Sequence, residues 1–284
     1  MLLLLFRLLS KLPLPALHAL GAALGRMAWW GSASYRTRLR DNIGRAGFSD
    51  QLTLAIREAG KSVLELPFIW CARQERVVAS ATMEDWELVQ STLDAKRGVI
   101  FLTPHLGCFE ILAQVVSLRL PLTVLYRPPR KAALKPLIEG ARARSSLALA
   151  PANLSGVRML LKAVKQGGAI GLLPDQVPQQ GEGVWAEFFG KPAYTMTLPA
   201  KLQQMTGAPI LLAYAERLPQ GKGFVLRFVP FTQTMGDTPA QQARAINAAM
   251  EELIARCPAQ YFWSYNRYKT PAGVTSPSTQ EKST

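Results

Sequence analysis

Histidine is nearly absent from this chain: 284 residues hold two, His18 and His105. Any imidazole that moves a proton near neutral pH is one of these. His18 lies in a Leu/Ala-rich N-terminal segment, which leaves His105 as nearly the only candidate. Cysteine is almost as scarce. Cys71, Cys108 and Cys257 are odd in number, widely spaced and set among apolar residues, which excludes a disulfide framework and fits reduced core thiols in the cytosol. Cys108 stands three residues after His105, so a thiol nucleophile is a competing reading of that segment, although the separation says nothing about contact. With one central histidine and no cysteine cluster there is no metal motif, and no metal ligand set is expected. Long uncharged apolar runs are missing too. Arg7, Lys11 and Arg26 interrupt residues 1–30 and Pro13 and Pro15 break their helix, so nothing approaches the roughly 20 uncharged residues of a spanning helix. No basic stretch precedes the first leucines and no clean small-residue cleavage site follows, which argues against a signal peptide. There is no internal repeat and no long linker.

Carboxylates are outnumbered, with 19 Asp and Glu against 33 Lys and Arg, for a net charge of +14. Such a surface implies an anionic partner, either nucleic acid or a phosphate-bearing lipid surface. The N-terminus favours the lipid. Residues 1–30 open on Met1-Leu2-Leu3-Leu4-Leu5-Phe6 and close on Trp29-Trp30, with Arg36, Arg38, Arg40 and Arg45 just beyond. Apolar mass, terminal tryptophans and adjacent arginines suit a bilayer interface, so the preferred reading is an amphipathic membrane anchor; the alternative is a buried first helix of the domain. Aromatics are not interleaved with the basic residues in any nucleic-acid-binding pattern, so no nucleic-acid partner is expected.

With 49% hydrophobic residues, the chain has enough apolar content for one large core. Apolar spacing predicts a helix from Asp50 to Leu66, which Pro67 disturbs, and further helices over 83–94, 131–144, 156–165 and 239–256. Short apolar runs at 98–103, 122–126, 169–173, 210–215 and 224–229 predict strands. Strands separated by helices argue for an α/β fold with a mostly parallel sheet, whose functional residues sit at strand ends. Three such ends lead at once into reactive or charged side chains: His105 after the first run, Arg127 after Tyr126, and Asp175 after Leu173-Pro174. If these strands are parallel neighbours, the three groups converge on one edge. Gln179–Gly183 reads as a loop at the rim, and 271–284 as a loose, disordered tail.

Thr103-Pro104-His105-Leu106-Gly107-Cys108-Phe109-Glu110 holds the sharpest chemistry. On one helix, residues five apart differ by roughly 500°, which leaves them about 140° apart on different faces. His105 must therefore precede the helix, in the turn that Pro104 and Gly107 make, and fold back toward Glu110 in the first helical turn. A carboxylate accepting the Nδ1 proton would fix the tautomer and leave Nε2 to take a proton from a hydroxyl. The bland alternative is a satisfied histidine beside a helix-start glutamate.

One ordered set of motifs spans nearly the whole chain: His105-x-x-x-x-Glu110, Tyr126-Arg127-Pro128, Arg142-x-Arg144, Pro174-Asp175-Gln176, Phe188-Phe189-Gly190, Thr206-Gly207-Ala208, Gln260-Tyr261-Phe262-Trp263 and Arg267-Tyr268-Lys269. It resembles the late acyltransferases of lipid A biosynthesis, of lauroyl and myristoyl type, within the lysophospholipid acyltransferase superfamily. The resemblance implies a glycerolipid-acyltransferase-like α/β fold, a mostly parallel mixed sheet flanked by helices, with an N-terminal apolar membrane-associating helix. The organisation expected is a membrane-associating segment at 1–30, an acyltransferase domain at 31–270 and the tail at 271–284. It further implies an enzyme on the cytoplasmic face of the inner membrane, moving a fatty acyl chain from acyl carrier protein to a hydroxyl of an anionic lipid A precursor. No cofactor is implied beyond that acylated carrier, and no acyl-enzyme. His105 and Glu110 would be the catalytic pair. Arg142 matches the functional arginine, holding phosphate or developing charge; Arg127 would bind anionic substrate, with Arg130 and Lys131 as alternatives; Asp175 would orient a cation such as Arg142. The continuation Asp175-Gln176-Val177-Pro178 departs from relatives with a second acidic residue there, which weakens any role for paired carboxylates. Other readings are an acyltransferase for a lysophospholipid or an ornithine-type lipid, and a non-catalytic lipid-binding protein of the same fold.

Overall fold

The computed structural model describes residues 2–127, 135–142 and 146–277, with the side chains of 141 and 142 excepted. Six helices come first: α1 Leu2–Leu9, α2 Leu14–Gly31, α3 Ala33–Arg45, α4 Leu52–Leu64, α5 Leu66–Cys71 and α6 Gln74–Val78. The α/β part follows as β1 Ala81–Met83, α7 Trp86–Asp94, β2 Val99–Leu102, α8 Phe109–Val116, β3 Leu122–Tyr126, α9 Lys135–Arg142, β4 Leu147–Pro151, α10 Leu154–Lys165 and β5 Ala169–Leu172. A hairpin of β6 Gly183–Phe188 and β7 Lys191–Met196 precedes α11 Leu198–Thr206, β8 Ile210–Arg217, β9 Phe224–Pro230 and α12 Pro239–Arg256.

Seven strands form one sheet in the order β1-β9-β8-β2-β5-β3-β4, parallel throughout except where β8 meets β9. The chain thus has the expected α/β architecture, a mostly parallel mixed sheet flanked by helices. The period-2 alternation of strand side chains sorts the core into two halves. From β2, Val99 and Phe101 join the apolar cluster that includes α5 and α8, while Ile100 and Leu102 join the one with α10, α11 and α12. All four side chains are buried, as both-face coverage of a parallel strand requires.

Local signals set the helix ends. Asn153 accepts from the Gly156 N–H to start α10, and Thr238 with Gln241 forms a capping box ahead of Pro239 in α12. The predicted 156–165 and 239–256 helices and the five predicted strands are present, within two residues at their ends. Strand β4 and the β6–β7 hairpin were not expected, and β1 ends at Met83, where the 83–94 helix was expected to start; that helix, α7, begins at Trp86. The 131–144 helix is described only as α9; Arg130, Lys131 and Arg144 lie outside the described residues, as does 278–284 of the predicted tail.

At the N-terminus Pro13 separates α1 from α2. Phe6 of α1 stacks on Trp70 of α5, yet no residue of α1 is fully buried, and Leu4 and Leu8 are more than half exposed. One face of α2, with Leu17, His18, Gly21 and Gly25, is buried against α4. The crossing is a contact of bare backbone: a Cβ on Gly60 would lie 1.9 Å from the Gly21 carbonyl oxygen. The outer face of α2 leaves Leu20, Leu24, Met27 and Trp30 exposed. Among the described residues no helix is long and apolar enough to cross a membrane.

Candidate active site

Because β5 lies between β2 and β3, the turns that leave β2 and β5 are immediate neighbours at the carboxyl ends of parallel strands. The Thr103 N–H continues the pairing onto the Leu172 carbonyl, 3.0 Å away, and the two turns then meet through side chains. Asp175 Oδ1 lies 2.8 Å from His105 Nδ1, and Asp175 Oδ2 accepts from the His105 backbone N–H at 2.8 Å. One carboxylate therefore fixes both the ring and the main chain of the histidine. The expectation that Glu110 takes the Nδ1 proton is corrected: the Nδ1 partner is Asp175, seventy residues away in sequence and one strand away in space.

The His105 turn is held from behind. Gly107 sits at φ +61°, its N–H donates to the Gln260 carbonyl at 3.1 Å, and the Cys108 N–H donates to the Ala215 carbonyl at 2.8 Å. A Cβ at Gly107 would stand 1.9 Å from that Ala215 oxygen, so both the dihedral and the space demand glycine. The Phe262 N–H donates to the His105 carbonyl at 3.0 Å, and the rings of Phe109 and Phe262 flank the imidazole at 4.7 and 6.3 Å. The ring keeps 15% of its surface open. Its Nε2 is 3.0 Å from the amide nitrogen of Gln176.

Electrostatics agree with an ionised Asp175. Burial pushes its carboxyl up, but the His105 charge and hydrogen bonds, with Arg267 behind, outweigh this and hold it below the usual carboxylate range. Arg267 is itself buried. It donates to the Tyr194 carbonyl and to the Thr195 hydroxyl, both at 2.7 Å. Tyr261 is pushed well above the ordinary phenol range by burial first and by the Asp175 charge second, so it stays a neutral donor beside the carboxylate. Nδ1–H donating to an ionised carboxylate leaves the Nε2 lone pair as the acceptor. That is the arrangement of a general base.

The other expected residues are placed unevenly. Glu110 lies in the first turn of α8, where its charge suits the helix N-terminus, and accepts from Trp70 Nε1 at 3.0 Å. Arg127 is exposed just after β3, on the far side of β5 from His105. Its charge is felt at Tyr265, whose hydroxyl accepts from the Val177 N–H at 3.0 Å. Arg142 ends α9, which packs against α5. Cys108 is 2% exposed, and burial, followed by the Glu65 charge, pushes its thiol well above the ordinary range, which disqualifies it as a nucleophile.

A second buried polar group supports the same turn. Arg217, at the end of β8, donates to Glu65 through Nε and Nη2 at 2.7 and 2.6 Å, to Glu58 at 2.8 Å and to the Gly107 carbonyl at 3.3 Å. Its own N–H and carbonyl are bracketed by the Gln260 side chain at 2.8 and 2.9 Å. Burial raises the Glu65 carboxyl, and Arg217 more than reverses that. His18, the second histidine, places Nε2 3.3 Å from Glu65, without hydrogen-bond alignment. Sequence reasoning singled out none of Trp70, Glu65, Arg217 or Tyr261 for a role. Only the motif at 260–269 signalled its neighbourhood.

A buried carboxylate orienting a single imidazole, on strand ends of an α/β sheet, defines a class of site whose histidine can accept a proton at Nε2. Sequence comparison makes that class specific. The model of the bacterial lipid A biosynthesis acyltransferases matches residues 1–270, and the chain belongs to that family. It is 26% identical over 280 residues to the lipid A biosynthesis palmitoleoyltransferase of Escherichia coli (strain K12), covering 94% of this chain and 89% of that one. To the lipid A biosynthesis lauroyltransferase of the same organism it is 25% identical over 279 residues, covering 95% and 90%. A lipid A biosynthesis acyltransferase of Haemophilus influenzae is 24% identical over 177 residues, 61% of this chain and 54% of that one. The protein is an acyl-transferring enzyme of lipid A biosynthesis.

Proposed function

We propose that the chain transfers a fatty acyl group from acyl carrier protein to a hydroxyl of a lipid A precursor on the cytoplasmic face of the inner membrane, with His105 as general base. The observation that carries this reading is the imidazole tethered through Nδ1 to Asp175, which leaves Nε2 as the proton acceptor. The acceptor O–H gives its proton to Nε2 while its oxygen bonds to the thioester carbonyl carbon. The C–S bond then breaks, and the leaving sulfur takes the proton back from the imidazolium. No group of the protein is acylated. Asp175 orients the ring and stabilises the imidazolium. Glu110, next to Phe109 in the turn that touches the ring, adds a second negative charge favouring the imidazolium, in place of the Nδ1 role first expected of it.

Arg127 and Arg142 serve the anionic parts of the substrates, phosphate or developing oxyanion. Residues 1–30 are the membrane-associating segment in this reading. Exposed Leu3, Leu4, Leu5 and Leu8 of α1 and Leu20, Leu24, Met27 and Trp30 of α2 would enter the interface, with the basic residues after Trp30 against lipid phosphates. The acidic carrier protein suits the same excess of positive charge. The test is transfer of a labelled acyl group from acyl carrier protein to purified lipid A precursor, lysophospholipid and ornithine-type lipid, by wild type and His105→Ala. Transfer to the precursor, lost in the variant, is expected. Transfer only to another lipid overturns the acceptor, and transfer that survives in His105→Ala overturns the mechanism.

A further inference from the structure

The reacting nitrogen of His105 already has a partner. With Nδ1–H donating to Asp175, Nε2 offers one lone pair, and the Gln176 amide nitrogen stands 3.0 Å from it in donor position. An acceptor hydroxyl must donate to that same lone pair before it can lose its proton. Gln176 and the substrate therefore compete for one site, and Gln176 must leave for the reaction to proceed.

The turn is built so that this side chain alone can leave. Asp175 is 3% exposed and held by His105 on two bonds. On the other side Val177 is 7% exposed, its N–H bound to the Tyr265 hydroxyl. Between these fixed neighbours Gln176 is partly exposed, and among the described residues its amide makes no other hydrogen bond. A neutral amide–imidazole bond is strong enough to compete with a single water and weak enough to yield to a bound, oriented hydroxyl.

We propose that Gln176 is a displaceable cap on the base and decides between lipid acceptor and water. While the acceptor is absent, the amide keeps the Nε2 lone pair occupied, so a water molecule is not activated against the acyl donor. Without the cap, water would give its proton to Nε2 and its oxygen would bond to the thioester carbonyl carbon. The C–S bond would break and the thiol would recover the proton, yielding free fatty acid. This consequence rests on the thioester-donor reading above, whereas the cap itself rests only on the geometry.

Two readouts separate the two. Diethyl pyrocarbonate acylates unprotonated imidazole, and the chain holds only two histidines, of which His18 is 4% exposed and serves as the internal control. In Gln176→Ala, and in Gln176→Leu, which keeps bulk but removes the donor, carbethoxylation of His105 measured by peptide mass should rise about three- to tenfold, as loss of one neutral hydrogen bond allows. The same variants should raise donor hydrolysis relative to transfer by a similar factor. Unchanged His105 labelling in both variants overturns the cap. Faster labelling with an unchanged hydrolysis-to-transfer ratio overturns its role against water. Loss of all acyl transfer by wild type would count against the function proposed above, while the labelling result stands independently.

Discussion

Asp175→Asn tests the central geometry with almost no change in volume. In the wild type both carboxylate oxygens accept hydrogen bonds, from His105 Nδ1 and from the His105 N–H, each at 2.8 Å. Asparagine offers one oxygen and one NH2, so it can satisfy only one of the two donors while its own N–H faces the other. The cheapest relief is for the ring to move its proton to Nε2 and accept from the amide on Nδ1. Nε2 then carries a hydrogen and cannot take one. General base contributions run about 10²–10⁴ in rate, and loss of the correct tautomer in carboxylate-oriented histidines falls at the upper end. At ~1.36 kcal/mol per decade, the expected drop in kcat corresponds to about 3–5 kcal/mol. The assay is initial-rate acyl transfer at saturating acceptor, with urea unfolding as a companion. Because the folded pKa of Asp175 is depressed, its stabilisation is full above the unfolded value of about 3.9 and is lost as pH falls through the folded value. The stability gap between wild type and variant should therefore be widest near neutrality and close in acid. A kcat within threefold of wild type, from a folded variant, would refute the assignment of Asp175 as the orienting carboxylate.

Glu110→Gln keeps an oxygen for Trp70 but removes a charge near the imidazolium, so kcat should fall by about tenfold, well short of a general base's full contribution; a loss as deep as that of Asp175→Asn would contradict the division of roles. Glu65→Gln leaves the Arg217 guanidinium buried without its main counter-charge and should cost about 3–5 kcal/mol by urea denaturation. Its sign with pH is that of a depressed carboxylate: the Glu65 contribution is complete above about 4.3 and disappears as pH falls through the folded value, so a wild-type-to-variant gap that grew in acid would be inconsistent. Gly107→Ala and Gly207→Ala make a matched pair, both at left-handed φ; the second, in open space, should lose only ~1–2 kcal/mol of stability to backbone strain, whereas the first meets the Ala215 carbonyl oxygen and should lose more stability together with activity.

The sheet was legible where strands are short apolar runs ended by glycine or proline: β2, β3, β5, β8 and β9 all have that form. The run from Pro239 to Arg256 made α12 equally plain, and the capping box of Thr238 and Gln241 is what starts it. What escaped is defined by pairing more than by composition. Strand β4, Leu147-Ala-Leu-Ala-Pro, is alanine-rich and becomes a strand by lying along β3, while three-residue β1 exists through its register with β9, Ala81 opposite Phe224. The site shows the same division. His105, Arg127 and Asp175 were found because each follows a strand end, but sequence does not encode strand order. Insertion of β5 between β2 and β3 gives His105 to Asp175 and leaves Arg127 one strand farther away. Glu110 was assigned to the histidine because it is near in sequence; the carboxylate that reaches Nδ1 is near only in the fold.

That insertion also explains why the supports of the base come from so far along the chain. The sheet fixes the spacing between the His105 and Asp175 turns, but nothing in β2 or β5 fixes the tilt of the His105 turn itself. Its direction is set by β8, through Ala215 and Arg217, and by residues 260–262, through Gln260 and Phe262. Arg217 can occupy that buried position only with a counter-charge, and Glu58 and Glu65 bring it from α4 and the residue before α5. Helix α2 closes over the same charge with His18 and is locked to α4 by the glycine crossing. The N-terminal helices are therefore part of the apparatus that aims the imidazole. A displacement of α2 relative to α4 would reach His105 through Glu65, Arg217 and the Gly107 carbonyl, each link a buried hydrogen bond or contact already in place.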